Sequence, residues 1–435
     1  MIIESDQIQK ARIGIIYLIM AAGALLGIDV VQLFGFLLFC FFVLRSDLND
    51  GMAQIMALVP NIAVMSSSVT GLLGVAFAII LLKIILRQGM KVSVRVMCLM
   101  SLLYLFCISA LRISGGNIYD FALVCQVVIV VITWTSLLQE MTSDDAILYI
   151  DYFRFGCLLM AFGMLISYPF AANSIGRFRA ISDDCNYTGA VMCVLLGISL
   201  LVFCYKLPLR HNTFYMIVAV IMGLATGSRG FMLSTAIILI ILLFTKSFGQ
   251  KTAKIVVLSL FLMAVVYVLY LVHFGPVMTI YDNTIGRTMD LQDNYNEGDF
   301  MDVTSGRAVL WAYYMLEAVN DPKIMVWGRG FYDYFLEENG GFGLAAHNMY
   351  ISSIIGIGIV GTLLVLIMYF SILRTEFVRN DRKINIAFSS IIIALLVNYF
   401  FLDGMLELRL ITYHAMVVMM MIIYKANIKS IDVYQ

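Results

Sequence analysis

Residues 345–361 read AAHNMYISSIIGIGIVG. A polar stretch ends there at a histidine–asparagine pair, and an apolar run begins that extends to about residue 373. A run of that length without a charge is read as a helix that crosses a bilayer. Similar runs lie near 12–27, 31–45, 51–66, 68–86, 93–112, 119–138, 151–171, 188–206, 211–226, 228–246, 253–273, 384–403 and 407–425. They are continuous rather than alternating, so they read as helices and not as barrel strands. The expectation is an all-α polytopic membrane protein with 12–14 transmembrane helices. The lower count applies if residues 13–44 form one tilted helix and 51–66 re-enter around Pro60.

Composition agrees. Of 435 residues, 62% are hydrophobic and 13% charged, against roughly 25% charged in soluble domains. Mean hydropathy is +0.95. The formal net charge is zero, which argues against nucleic acid as a partner. The eight cysteines form no CxxC pair and sit mostly in apolar runs, where cysteine acts as a small hydrophobe. MIIESDQIQKAR at the start lacks a small-residue cleavage site before the first apolar run, so it reads as a cytoplasmic tail rather than a signal peptide.

Basic residues orient the chain. Lys83, Arg87, Lys91 and Arg95 cluster in one loop, Lys206 and Arg210 in a second, Lys246, Lys251 and Lys254 in a third. Arg374, Arg379, Arg382 and Lys383 fill a fourth, with Lys425 and Lys429 in the tail. All fall on one side in alternation, which places both termini in the cytoplasm. The acidic loop at 139–151 fits this side least well. Three parts follow: an N-terminal helix bundle (1–273), a large extracytoplasmic loop (274–346), and C-terminal helices with a cytoplasmic tail (347–435). Within the loop, WAYYMLEAV (311–319) reads as helical and ENGGFGLA (338–345) as a flexible stretch.

Arginines on the outer side carry the functional signal, because positive charge is expected inside. They are Arg177, Arg179, Arg229 and Arg307. A guanidinium matches phosphate oxygens with two parallel hydrogen bonds; snorkelling, or pairing with Asp183 or Asp184, accounts for such residues equally well. His347 falls at the outer end of its span, and on a continuous helix 347, 351, 354, 358 and 361 share one face. Gly358 and Gly361 would then pin the helix against a neighbour and fix an imidazole suited to general-base work. An interfacial histidine that only hydrogen-bonds is the competing reading. Asp403, Glu407 and His414 form either a polar track or satisfied core groups. Asp290, Asp293, Glu297, Asp299 and Asp302 read as a solvated acidic face rather than a metal site. His211 reads as cytoplasmic and His273 as interfacial; neither has an evident partner. The loop aromatics suit sugar stacking or core packing alike.

With these residues assembled, the chain resembles the O-antigen polymerase and ligase superfamily of bacterial glycan-assembly enzymes, from about residue 175 to 410. RGFML (229–233) resembles its Arg-x-x-x-Leu pattern, and His347-Asn348 followed by nine residues and GIVG (358–361) its His-Asn-x9-Gly-x-x-Gly pattern. SGR (305–307) is similar to a motif of capsular and O-antigen polymerases. The resemblance implies a GT-C-like arrangement in the cytoplasmic membrane. It implies transfer of a glycan from a polyprenyl-pyrophosphate-linked donor to an acceptor hydroxyl, without nucleotide sugar, metal or other cofactor. Arg229 and His347 would be catalytic; Arg177, Arg179, Arg307 and Asn348 would bind substrate; a chain-length regulator would be a partner. Polymerase, ligase and, from another class, polysaccharide flippase stay open, with SGR favouring polymerase. A flippase predicts ionisable groups near the midplane, whereas the polar residues here gather at the outer surface.

Overall fold

The computed structural model describes residues 2–65, 72–89, 96–97, 99–104, 118–168, 178–181, 183–245, 307–330, 345–374, 381–400, 402 and 408–432. The predicted span at 253–273, most of that at 93–112, Arg177, His273, the acids at 290–302, Ser305, Gly306, Asp403 and Glu407 lie outside these residues.

Every predicted span among the described residues is a helix. In chain order they are α1 (Ile2–Leu26), α2 (Asp29–Arg45), α3 (Leu48–Leu58), α4 (Ile62–Met65), α5 (Leu72–Gln88), α6 (Ile118–Glu140), α7 (Ser143–Ser167), α8 (Cys185–Tyr205), α9 (Asn212–Ala225) and α10 (Arg229–Thr245). The segment predicted as a large loop supplies α11 (Arg307–Asn320) and α12 (Pro322–Trp327), and the bundle closes with α13 (Met349–Arg374), α14 (Arg382–Asn398) and α15 (Leu408–Asp432). No strand occurs among the described residues. Six helices are long and apolar enough to cross a bilayer: Asp6–Leu26, Ala122–Glu140, Ser143–Ser167, Cys185–Tyr205, Met349–Phe370 and Arg409–Ile428. The predicted count of 12–14 also draws on shorter helices such as α9 and α10, and on segments outside the described residues. Large apolar side chains including Leu37, Leu86, Leu165, Phe244 and Phe370 are exposed around the bundle. Only a lipid or protein environment covers such a surface.

Local chemistry sets the breaks. Gly27 takes φ 68, and Ile28 N–H reaches back to the Gly23 carbonyl at 2.8 Å, the six-to-one bond that ends a helix through a left-handed glycine. Residues 13–44 are therefore a hairpin of α1 and α2 packed on each other, not one tilted helix. Lys83 Nζ donates to the Val43 carbonyl (2.6 Å) and to that of Ser46, covering the carbonyls at the end of α2. Pro60 sits in the 3₁₀ turn Val59–Asn61 that separates α3 from α4.

The acidic stretch at 139–151 has a physical reason. Thr142 Oγ1 accepts from Asp145 N (3.3 Å) and Asp145 Oδ2 accepts from Thr142 N (3.0 Å), a reciprocal cap at the start of α7. Asp151 pairs with Lys10 at 2.7 Å. Tyr152 donates to Asp6 (2.8 Å), Arg154 to the Arg210 carbonyl (2.7 Å) and Asn427 to the Lys206 carbonyl (3.4 Å). The N-terminal segment, the end of α15, the start of α7 and the α8–α9 turn thus share one end of the bundle. The opposite end holds the starts of α8, α10, α13 and α15.

α8 is the central helix. It is apolar all round and buried along nearly its whole length, packing on α9, α10 and α14, as expected of a helix without a polar face. A large core joins α1–α3 and α5–α10 to α13–α15, and a small separate one joins α11 to the first part of α13 through Tyr314, Ala318, Ile351 and Ile355.

At one crossing, the backbones of α3 and α7 touch. A Cβ on Gly156 would fall 2.1 Å from the Ala57 carbonyl oxygen, and Asn61 Nδ2 donates to the Gly156 carbonyl at 2.9 Å. Gly156→Ala is expected to lower stability by ~1–3 kcal/mol, the usual cost of overpacking. Gly14→Ala, where a Cβ meets nothing within 4 Å, should be neutral. Thermal unfolding of the two variants in one detergent checks the pair.

Candidate active site

Arg229 is the first residue of α10, and its position comes from a capped turn. Thr226 Oγ1 donates to the Gly223 carbonyl (2.6 Å) and accepts from Ser228 N (3.2 Å). Ser228 Oγ accepts from Phe231 N (3.4 Å), three residues on, as a helix N-cap does. The same hydroxyl donates to Asn186 Oδ1 on α8 (3.2 Å). Gly230 lies so close to Asn398 at the end of α14 that a Cβ would meet its Oδ1 at 2.1 Å, and Ser234 donates to the Ala394 carbonyl (2.9 Å). Half-buried Arg229 is thereby fixed between the start of α8 and the end of α14.

His347 reaches the same place from the other side. Asn348 Oδ1 accepts from Tyr350 N (3.0 Å) and Ile351 N (3.2 Å), capping α13. Met349 N–H donates to the Tyr399 carbonyl (2.9 Å), and the Tyr350 hydroxyl to that of Leu396 (2.7 Å). The beginning of α13 is thus tied to the end of α14, the element that also holds Arg229. His347 is exposed and takes φ 48, while Ala346 and Asn348 on either side are buried. A left-handed backbone is uncommon for a residue with a Cβ, and such conformations cluster where neighbours over-determine them. Trp311 Nε1 donates to the Ala346 carbonyl at 2.8 Å. Arg307 stands one turn before Trp311 on α11, so the two share a face.

The predicted glycine face does not exist as a continuous helical stripe. α13 is broken at Gly358, whose backbone (φ 70, ψ 172) is not helical. The break receives the outer segment. A Cβ on Gly358 would lie 2.0 Å from the Val326 carbonyl oxygen in α12, so the close neighbour is a loop helix. Arg329 N donates to the Ile355 carbonyl (2.7 Å) and Gly330 N to that of Gly356 (3.0 Å). Gly361 serves the bend itself, since a Cβ there would meet Ile357 Cβ at 2.8 Å. Arg329 also pairs with Glu317 of α11. Burial holds the Glu317 carboxyl above the usual carboxylate range, against the opposing pull of the Arg329 guanidinium.

Two further outer-end residues follow from the fold and not from any motif. Arg409, the second residue of α15, pairs with Asp183 just before α8 at 2.8 Å, both side chains being buried. Its guanidinium also lies over the Tyr187 ring at 5.1 Å. Asp183 is one of the two acids considered as partners for the outer arginines; the arginine it takes is Arg409. The signal available was a lone arginine, Arg409, in the segment 402–410 predicted to lie outside. The Arg179 carbonyl accepts from Ser167 Oγ (3.0 Å), and Phe178 N donates to the Ala225 carbonyl (3.2 Å), which brings Arg179 to the turn before Arg229. His414 is a core group: it is buried, its Nδ1 is 2.9 Å from the Leu410 carbonyl, and its ring stacks on Tyr369. Among the described residues no three His, Cys, Asp or Glu side chains gather as a metal site would require.

Residues 214–366 match a family model described as O-antigen ligase. On that match the chain carries a domain of the O-antigen polymerase and ligase superfamily. The matched region runs from α9 into α13 and holds Arg229, Arg307, His347, Gly358 and Gly361, while Arg179, Asp183 and Arg409 fall outside it. No curated protein matches the chain.

Removing one partner of a buried ion pair leaves a charge without compensation, at a cost of ~3–5 kcal/mol, whereas replacing both by apolar groups is often neutral. Arg409→Met alone should therefore destabilise strongly, and Arg409→Met with Asp183→Leu should recover most of the loss. Denaturation midpoints of the two single variants and the double variant decide it.

Proposed function

We propose that this chain is a polymerase. It would join polyprenyl-pyrophosphate-linked oligosaccharide repeat units into a surface polysaccharide on the outer face of the cytoplasmic membrane. One observation supports it above the others: Arg229 and His347, far apart in sequence and both inside the matched region, each adjoin a residue tied to the same end of α14, Gly230 against Asn398 and Met349 to the Tyr399 carbonyl. An anionic, membrane-anchored donor suits an arginine fixed at a bundle end, because the guanidinium fork binds phosphate oxygens and the lipid tail stays in the bilayer.

In the reaction, an acceptor sugar hydroxyl attacks the anomeric carbon of the donor glycan. The new glycosidic C–O bond forms as the bond from that carbon to the pyrophosphate oxygen breaks. The pyrophosphate leaves with the electron pair, and the hydroxyl proton passes to the His347 imidazole. Arg229 meets the charge that grows on the leaving group, and Arg177, Arg179 and Arg307 serve to bind the donor. Asn348 contributes chiefly by holding the start of α13, since its Oδ1 is committed to the cap. On this reading the end with Lys10 and Arg210 faces the cytoplasm, and a chain-length regulator is a partner.

Ligase activity is the second reading, because the matched family is described by it; SGR at 305–307 favours polymerase. The test uses purified protein in nanodiscs with a short polyprenyl-pyrophosphate-linked repeat unit and no nucleotide sugar. Wild type should give a ladder of lengthening glycans. His347→Ala should slow its formation ~10²–10⁴-fold, the span of general acid–base catalysis, and Arg229→Ala should abolish a visible ladder. Glycan transfer only when a lipid A core is added would make the protein a ligase.

A further inference from the structure

We propose that Trp311 is a positioning residue for His347, acting through the hydrogen bond from its indole Nε1 to the Ala346 carbonyl. The proposal rests on the polymerase reading only for what the imidazole does; the bond and its effect on the backbone stand on the geometry. Three observations meet here. Ala346 and Asn348 are buried on either side of an exposed His347 whose φ is 48. Asn348 is fixed from the α13 side by its two cap bonds. The peptide on the other side is held by Trp311, at 2.8 Å. A left-handed residue with a Cβ sits in a narrow, costly region, and losing one of two flanking anchors lets it relax into a commoner conformation. The imidazole, carried on that Cα, then swings away from the end of α14.

α11 is itself held in place. Tyr314 and Ala318 pack on Ile351 and Ile355 of α13, and the Arg329 and Gly330 amides anchor the segment after α12 to the break in α13. Trp311 therefore hangs from a helix docked on the same element whose start it orients. Its ring is also half-buried against the small core, so a role confined to packing predicts that any loosening of that core has the same effect. The two accounts part at the N–H. Trp311→Phe and Trp311→Tyr keep an aromatic ring and remove the donor to Ala346; Ile351→Val loosens the small core and leaves the donor in place.

The experiment uses the full chain in nanodiscs and diethyl pyrocarbonate as the probe, with carbethoxylation of His347 followed by mass spectrometry at fixed pH, and His211 as internal reference. Both Trp311 variants are expected to change the His347 rate by about fivefold, the factor carried by one net neutral hydrogen bond, with His211 and the Ile351→Val protein unchanged. In turnover, kcat should fall with the KM for the lipid-linked donor preserved. An unchanged His347 rate in either Trp311 variant overturns the proposal. So does an equal change in Ile351→Val, or failure of both Trp311 variants to fold while Ile351→Val folds. A wild-type protein inactive on the lipid-linked repeat would sink the polymerase reading alone, since the carbethoxylation comparison needs no substrate.

Discussion

A backbone carbonyl that loses its helical partner inside a membrane protein has no bulk water to turn to, and the break of α13 at Gly358 is where this chain meets that constraint. The carbonyls of Ile355 and Gly356 are released from the helical ladder there, and the amides of Arg329 and Gly330 take them up. The outer segment is thus bound to the bundle by an obligation of the backbone and not only by side-chain packing. Once that segment is fixed, α12 lies against Gly358, α11 lies along the first part of α13, and Trp311 arrives beside Ala346. The placement of His347 is downstream of a defect in the helix that carries it.

Charge at the end of the bundle that holds Arg229 is organised by the same economy. Arg409 is neutralised by Asp183 in a buried pair and covered by Tyr187, so it contributes little net field toward the surface. Arg229 is treated differently: it is half-buried, at a helix start where the Ser228 hydroxyl takes the Phe231 amide. One arginine secures the packing of α15 on the start of α8, while the other begins α10 between the start of α8 and the end of α14. Two residues of the same type and the same face thereby take separate duties, decided by what each is packed against.

Much of the fold was legible in the sequence, because the bilayer penalises every residue that breaks an apolar run. The ends of the runs at Arg229 and His347 were legible for the same reason, as was a helix over Trp311. Other features are contacts between distant positions, to which no periodicity points. Asp183 and Arg409 are 226 residues apart. The glycines at 356, 358 and 361 suggested a smooth packing face, yet one of them takes a conformation that only glycine adopts readily, and the run of small residues carries no mark that separates the two uses. Gly27 likewise divides α1 from α2 by a local bond that hydropathy does not see. Asn348 looked like a ligand-binding amide and its oxygen is a helix cap, the commoner fate of an asparagine just before an apolar run.

The two cores explain why the site lies where it does. The large core fixes α8, α10 and α14 relative to one another and so fixes Arg229. The small core fixes α11 against the first part of α13 and so fixes the peptide before His347. α13 belongs to both: Ile351 and Ile355 lie in the small core, and Met349, Ile357, Val365 and Tyr369 in the large one. The chain itself passes from one core to the other across His347: Ala346 lies in the small core and Met349 in the large one, where its amide is held by the Tyr399 carbonyl. The boundary between the cores is therefore where the backbone is held on both sides of His347, by Trp311 before it and by Tyr399 after it.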